Sequence, residues 1–235
     1  MKLAIITRAD KGVQNWIDCT HGPMKEYAEK CGADFFVFDH DPKEMSHLNK
    51  YIFWRILKVN ELFDQGYDRV LHLDTDVLIT KNAPNIFEVV PKEYIGVVYE
   101  DKGSRSGDRR RRIVDIQNTF GDANWKTGYL NEGVMVFSKE HRELFRPIDG
   151  DKWVNTVNGP SQGHFGWKIH KHNMKAMDLG YKFNHMSMFS ESWNGSPSRF
   201  DSYFIHYAGG GNFPDKGLRN RMAVANDDKK NIYND

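Results

Sequence analysis

Arg69-Val70-Leu71-His72-Leu73 is a short, mostly apolar run that ends in Asp74-Thr75-Asp76. A run of this composition predicts a buried strand of a mainly parallel sheet. The two aspartates then fall at its carboxyl end, where open α/β sheets bind ligands. Residues i and i+2 of an extended chain point the same way, so both carboxylates can face one ion. Paired oxygens favour a hard divalent cation such as Mg²⁺ or Mn²⁺, and such ions bind substrates that carry phosphates. A D-x-D alone also fits two solvated turn aspartates capping the next segment. The rest of the chain has to decide between the two.

The chain has 235 residues, enough for one large domain or two small ones with a real core. Its net charge of +1 gives no global field that would draw in nucleic acid. Six Trp and an aromatic share of 13% suit a protein that handles flat-faced ligands such as sugars, although ordinary core filling uses such rings as well. Cys19 and Cys31 have no C-x-x-C spacing, which argues against a zinc site or a disulfide scaffold. The first residues, Met1 to Thr7, read as a strand and lack the apolar length of a signal peptide. No stretch approaches a transmembrane segment. These features together predict a soluble, cytoplasmic protein.

Strand and helix patterns alternate along the chain. Leu3 to Ile6 reads as a strand, Asn15 to Lys30 as a helix and Asp34 to Asp39 as a second strand. Asn49 to Gln65 reads as a long helix, Val70 to Leu73 as the third strand, Ala83 to Val90 as a short helix and Tyr94 to Tyr99 as a strand. This order predicts an α/β sheet. Lys102 to Arg112 reads as a polar loop carrying Arg109 to Arg112, suited to a lid, to an anionic acceptor site or to plain solvation. Tyr129 to Phe137 and Tyr203 to Tyr207 read as strands, Arg142 to Arg146 as part of a short helix, and Trp153 to Asn173 as a pocket wall. The charged segment from Gly217 is expected to be a docked helix or a fraying tail.

Four segments in this order resemble GT-A-fold glycosyltransferases, in particular the retaining, metal-dependent group that includes glycogenin and bacterial lipopolysaccharide galactosyltransferases. Tyr67 to Leu78 is similar to that group's YDKVLYLDAD strand, and Tyr129 to Met135 to its YFNSGVM segment. His206-Tyr207-Ala208-Gly209 is similar to its HY-x-G, and Arg55 matches an arginine on the helix before the D-x-D strand. The resemblance spans residues 1 to 216 and implies one GT-A catalytic domain, a Rossmann-like mixed sheet flanked by helices. A nucleotide-binding half (1–100) would precede an acceptor-binding half (101–216), with 217–235 as a charged C-terminal tail. The implied activity is transfer of a sugar from a nucleoside-diphosphate sugar, UDP by resemblance, to a hydroxyl of a glycan or glycoconjugate acceptor.

The resemblance also implies a site. Asp74, Asp76 and His206 would hold Mn²⁺ (or Mg²⁺), the mixed oxygen and nitrogen set favouring Mn²⁺. Ile6, Thr7 and Arg8, after the first strand, would hold base and ribose, with Thr75 beside them. Arg55 would reach the nucleotide or pair with a surface acid. Gly209 would let backbone approach the diphosphate, and Lys216 would neutralise it, at a longer spacing from His206 than the family pattern has. Asn131 would hydrogen-bond the donor sugar. Glu132 departs from the family's serine and would tune sugar choice or turn outward. Ser161-Gln162-Gly163 is the nearest match to the segment beside the anomeric carbon. Ser161 replaces an aspartate there, so a carboxylate nucleophile is unsupported and Gln162 would polarise or position. One of Trp153, Trp167 and Trp193 is expected to stack on the acceptor, with Glu191 and Asp201 as possible hydrogen-bonding groups.

Other readings compete. A haloacid-dehalogenase-type phosphatase would use Asp74 as nucleophile, but it needs a second acidic pair at a strand end, and Asp227-Asp228 lies in a polar segment. A nucleotidyltransferase would need a glycine-rich loop after the first strand. A non-catalytic sugar-binding domain would not need the D-x-D and a distant histidine together. RNA binding would rest on the arginine run alone.

Overall fold

A computed structural model describes residues 1–9, 13–39, 58–150, 152–154, 160–210, 213–217 and 220–233. Its six-stranded sheet has the order β2-β1-β3-β6-β5-β7, with β1 Leu3–Arg8, β2 Asp34–Phe38, β3 Arg69–Leu73, β5 Ile95–Tyr99, β6 Leu130–Ser138 and β7 Ala176–Asp178. The pairs β1/β2, β1/β3 and β5/β7 are parallel, and β6 runs antiparallel between β3 and β5. A two-stranded antiparallel sheet joins β4 Val77–Ile79 to β8 Phe204–His206. Helices are α1 Gln14–Cys31, α2 (58–64), α3 Ile86–Val89, α4 Ser106–Phe120, α5 Pro160–Lys171 and α6 Arg221–Tyr233. This is the mainly parallel α/β architecture the strand and helix pattern predicts.

The period-2 alternation of the strands sends their side chains to two cores. Ala4, Ile6, Val70 and Phe137 meet Phe63 and Phe165 on one face of the sheet. Ile5, Leu71, Leu73 and Val136 meet Tyr27 and Phe204 on the other. Every residue of β3 is buried, so the strand reads as a continuous run rather than an alternating one. None of the described helices is long and apolar enough to cross a membrane.

The Lys102 to Arg112 segment is helical rather than a loop: a 3₁₀ turn at Gly103–Arg105 leads directly into α4. Arginine is a good helix former. Asp108 pairs with Arg109 and, at i+4, with Arg112 (3.0 Å). Ile113 and Ile116 supply the buried face. Arg105 and Arg109 of this segment line the cleft at the D-x-D. Most of the expected pocket wall is α5, which closes on Trp125 because a Cβ at Gly166 would stand 2.4 Å from that ring.

The charged C-terminal segment docks as α6. Its Asp228 is fully buried and bonded to Arg199 and to the Tyr207 hydroxyl. The acidic pair Asp227-Asp228 is thus helical, not at a strand end, and the phosphatase reading loses its second motif.

Candidate active site

Chain topology brings His206 to the D-x-D. Asp74 follows β3 directly and its N–H donates to the Gly133 carbonyl (2.8 Å). Three residues later the chain enters β4, where Val77 pairs with His206 of β8. The Tyr207 N–H donates to the Asp76 carbonyl (3.0 Å). Thr75 anchors the turn: its hydroxyl donates to the Arg8 carbonyl (2.9 Å), and its own carbonyl accepts from Thr20 (2.7 Å). One ligand atom from each of Asp74, Asp76 and His206 falls within 4.8 Å of the others. His206 Nε2 stands 3.2 Å from Asp76 Oδ1 and 3.8 Å from Asp74 Oδ2.

These three residues fit a divalent cation on their chemistry. Two carboxylates and an imidazole converge at the end of a rigid strand. They open into a cleft of about 440 Å³ also lined by Asn131, Gln162 and Gly209. Four carboxylates line it, from Asp74, Asp76, Glu100 and Glu132, against the guanidinium groups of Arg105 and Arg109. That balance would repel a diphosphate, and a bound dication would offset it.

Burial pushes the Asp76 carboxyl up, but His206 and Arg221 outweigh it and hold it below the usual carboxylate range. Burial likewise pushes the His206 imidazole down, while Asp76, with Asp74 and Glu100 behind it, raises it overall. A proton on His206 and a cation at the site therefore exclude each other. In the metal-free protein the His206–Asp76 pair stabilises the fold fully below the unfolded imidazole value of about 6.5, and that contribution is lost as pH rises through the higher folded value. Mn²⁺ affinity should accordingly fall as pH drops through the folded value, with proton release on binding. Calorimetric Mn²⁺ titrations in buffers of different ionisation heat check this; an affinity independent of pH would count against His206 as a ligand.

Three residues at the site carried no sequence signal. Glu100, buried just after β5, accepts from Arg105 (3.1 Å), Arg109 (2.5 Å), Asn131 (3.1 Å) and Gln162 (3.1 Å). Asn184, fully buried, lies between His206 and Asn131. Arg221, from the first turn of α6, donates to Asp76 Oδ2 (3.3 Å) and to the Tyr207 carbonyl (2.6 Å). His72, in place of the family's tyrosine, is buried with Nε2 3.8 Å from Asp74 Oδ1.

The other expected site residues divide. Asn131 lines the cleft, but its Oδ1 is taken by the Gly133 N–H and by Asn184. Gln162 lines it with its amide NH₂ donating to Glu100 and to the Leu130 carbonyl, so Oε1 is the atom it has to offer a ligand. Glu132 and Gly209 line it too. Ile6, Thr7 and Arg8 end β1 behind the Thr75 turn, with Ile6 paired to both β2 and β3. Lys216 closes a 3₁₀ turn at Pro214–Lys216 and is not among the cleft residues. Arg55 lies outside the described residues.

None of the three tryptophans lines the cleft. Trp153 and Trp167 fill the core, and Trp193 covers Gly103, where a Cβ would meet its Nε1 at 2.1 Å. Glu191 accepts from the Ser104 hydroxyl (2.7 Å), and neither it nor Asp201 is in the cleft.

Comparison with known proteins agrees with this architecture. General stress protein A of Bacillus subtilis (strain 168) is 22% identical over 116 residues, 46% of this chain. The chain thus spans only 40% of that relative's length. A glycosyltransferase involved in glycosylation of the major capsid of PBCV-1 superposes with a TM-score of 0.59 at 15% identity, over 99% of this chain and 100% of the other. Galactosyltransferase LgtC, in complex with donor and acceptor sugar analogs, gives 0.59 at 16% identity over 95% of each chain. The apo structure of the bifunctional glycosyltransferase WbbM gives 0.63 at 14% identity, over 99% of this chain and half of that one. At these identities the superpositions establish a shared fold, here GT-A. Residues 3–144, more than half of the chain, match glycosyl transferase family 8, and the chain belongs to that family.

Proposed function

We propose that this glycosyltransferase takes its sugar from a UDP-sugar, depends on a divalent cation, Mn²⁺ or Mg²⁺, and delivers the sugar to a hydroxyl of a glycan or glycoconjugate with retention of configuration. The observation that carries the proposal is the convergence of Asp74, Asp76 and His206 at the carboxyl end of β3. A neighbour of the same fold crystallised with donor and acceptor sugar analogs supports the substrate classes. In the proposed division of labour, residues 1–100 bind the nucleotide and 101–216 the acceptor.

Asp74, Asp76 and His206 hold the ion, which when bound supplies Lewis-acid stabilisation to a leaving diphosphate. Ile6, Thr7 and Arg8 border the base and ribose. Gly209 presents backbone N–H to the diphosphate, and Arg221 takes over charge neutralisation from Lys216: once a cation occupies Asp76, the guanidinium is free to turn to phosphate oxygens. Gln162 offers Oε1 to the positive charge that develops at the anomeric carbon. No carboxylate stands at Ser161 or Gly163, so the departing phosphate oxygen accepts the acceptor's proton. Glu132 borders the donor sugar, and Asn131 connects the metal and sugar sides.

Calorimetric titration with UDP, GDP and inorganic phosphate, each with and without Mn²⁺, tests the proposal. Micromolar UDP binding that requires the ion is the expected result. Absence of nucleotide binding in the presence of Mn²⁺ overturns it.

A further inference from the structure

Asn184 has no role in any reading of the site above, yet it is fully buried and touches His206 directly. It follows the 3₁₀ turn Tyr181–Phe183, and His185 next to it runs alongside β8. The His185 N–H donates to Phe204 O (2.8 Å), and the His206 N–H donates to His185 O (3.1 Å). This register sets the Asn184 amide at the Nδ1 edge of the His206 ring, 2.8 Å away.

The direction of every hydrogen bond around that amide is fixed from its far end. The Gly133 backbone N–H can only donate, and it points at Asn131 Oδ1 (2.9 Å). The Glu100 carboxylate accepts from Asn131 Nδ2 (3.1 Å). Asn131 therefore cannot be turned over. Asn184 approaches the same Asn131 Oδ1 at 2.8 Å, and it has to do so with its NH₂, because the reverse would set two acceptors against each other. Its Oδ1 is then left facing His206 Nδ1, which must carry a hydrogen. Neutral His206 consequently has its lone pair on Nε2, the nitrogen aimed at Asp76 and Asp74.

The ring is also confined from one side. A Cβ at Gly133 would stand 2.2 Å from His206 Cε1, so β6 passes close beside the imidazole. We propose that Asn184 is a positioning residue for metal binding: bridging Asn131 and His206 Nδ1, it holds the imidazole in the tautomer and orientation that present Nε2 to a divalent cation at Asp74 and Asp76. This rests on the metal reading of those three residues. Partners of this kind are worth about 10- to 100-fold in metal affinity where they orient a ligating imidazole. The same chain runs on through Asn131 to Glu100 and Gln162, so the fixing of His206 and the placing of the Gln162 amide share one network.

The test is calorimetric Mn²⁺ titration without nucleotide on the wild type, Asn184→Ala, Asn184→Leu and His206→Ala, each checked by thermal unfolding. Asn184→Ala should lose about 10- to 100-fold in Mn²⁺ affinity. Asn184→Leu fills much the same space with no acceptor for Nδ1 and should lose affinity as Asn184→Ala does, whereas a space-filling role would leave it near wild type. Wild-type affinity in folded Asn184→Ala, with affinity lost in His206→Ala, overturns the positioning role and leaves the metal reading standing. Wild-type affinity in His206→Ala as well removes both. Should the Asn184 variants not fold, ¹⁵N-histidine spectra of the Mg²⁺-loaded wild type decide, with His206 assigned by its loss in His206→Gln. A hydrogen on Nδ1 supports the proposal, and a hydrogen on Nε2 sinks it.

Discussion

Asp76→Ala should lower sugar transfer by at least about 1,000-fold and leave the protein folded. A factor of 1,000 corresponds to about 4 kcal/mol of transition-state stabilisation, at roughly 1.4 kcal/mol per decade. That lies within the several kcal/mol a Lewis-acid cation supplies to a developing oxyanion. Asp76 is the carboxylate best placed to hold such an ion, with Oδ1 3.2 Å from His206 Nε2 and Oδ2 3.3 Å from Arg221 Nη1. Its backbone carbonyl keeps the Tyr207 N–H in the alanine variant, so the turn between β3 and β4 has no reason to open.

Asn in place of Asp76 separates charge from shape, because the amide fills the same space without the anion. Both variants should lose metal-dependent transfer, measured across a panel of UDP-hexoses over a range of Mn²⁺ concentrations. Activity within tenfold of wild type for Asp76→Ala at saturating Mn²⁺ would remove Asp76 from the metal site. Asp74 would then have to carry the ion with His206 at 3.8 Å, a looser arrangement.

What could be read from the sequence was what local pattern determines. A strand buried on both faces leaves a continuous apolar run, which is why β3 and the aspartates after it stood out. His206 was legible because a short motif surrounds it. Glu100 and Asn184 belong to no such pattern. Each is a single polar residue; Glu100 has Arg105 and Arg109 nearby in the chain, but its contact with Asn131, 31 positions on, and that of Asn184 with His206, 22 positions on, arise only from the way the sheet is assembled. The Lys102 to Arg112 segment misled because its charge density resembles a loop, while its helix is secured by acid–arginine pairs and by just two buried isoleucines further on. Trp153 and Trp167, which fill the core, show the opposite limit. Large apolar rings fill cores as readily as they stack on sugars, and composition does not separate the two uses.

The second large effect is expected at a residue that does not line the cleft. Arg199→Met should destabilise the fold by about 3–5 kcal/mol, the cost of stripping one partner from a buried ion pair. That is a large share of the roughly 5–15 kcal/mol that holds a native domain together. Arg199 is almost fully buried and grips Asp228 of α6 through Nε (2.6 Å) and Nη2 (2.7 Å), with Nη1 on Asp215 (2.7 and 2.9 Å). The rings of Phe200 and Phe213 lie 4.5 and 4.9 Å from its guanidinium carbon. Without it the Asp228 carboxylate keeps only the Tyr207 hydroxyl (2.8 Å) among the partners described, in a site closed to water.

The penalty in that variant is chiefly the stranded anion, so Arg199→Met combined with Asp228→Leu should recover a good part of the loss in urea unfolding. Additive losses in the double variant would mean that the two side chains act independently. The pair also reaches the active site. α6 begins at Arg221, which holds Asp76 and the Tyr207 carbonyl, and the Tyr207 hydroxyl sits on Asp228. Loosening α6 should therefore weaken UDP binding in whatever fraction of Arg199→Met stays folded. Arg221→Ala should weaken it to a similar degree with little change in stability, because its guanidinium is one of the more exposed groups around Asp76. If Arg199→Met unfolds more easily but binds UDP as the wild type does, α6 is a structural strut and Arg221 has no part in holding the diphosphate.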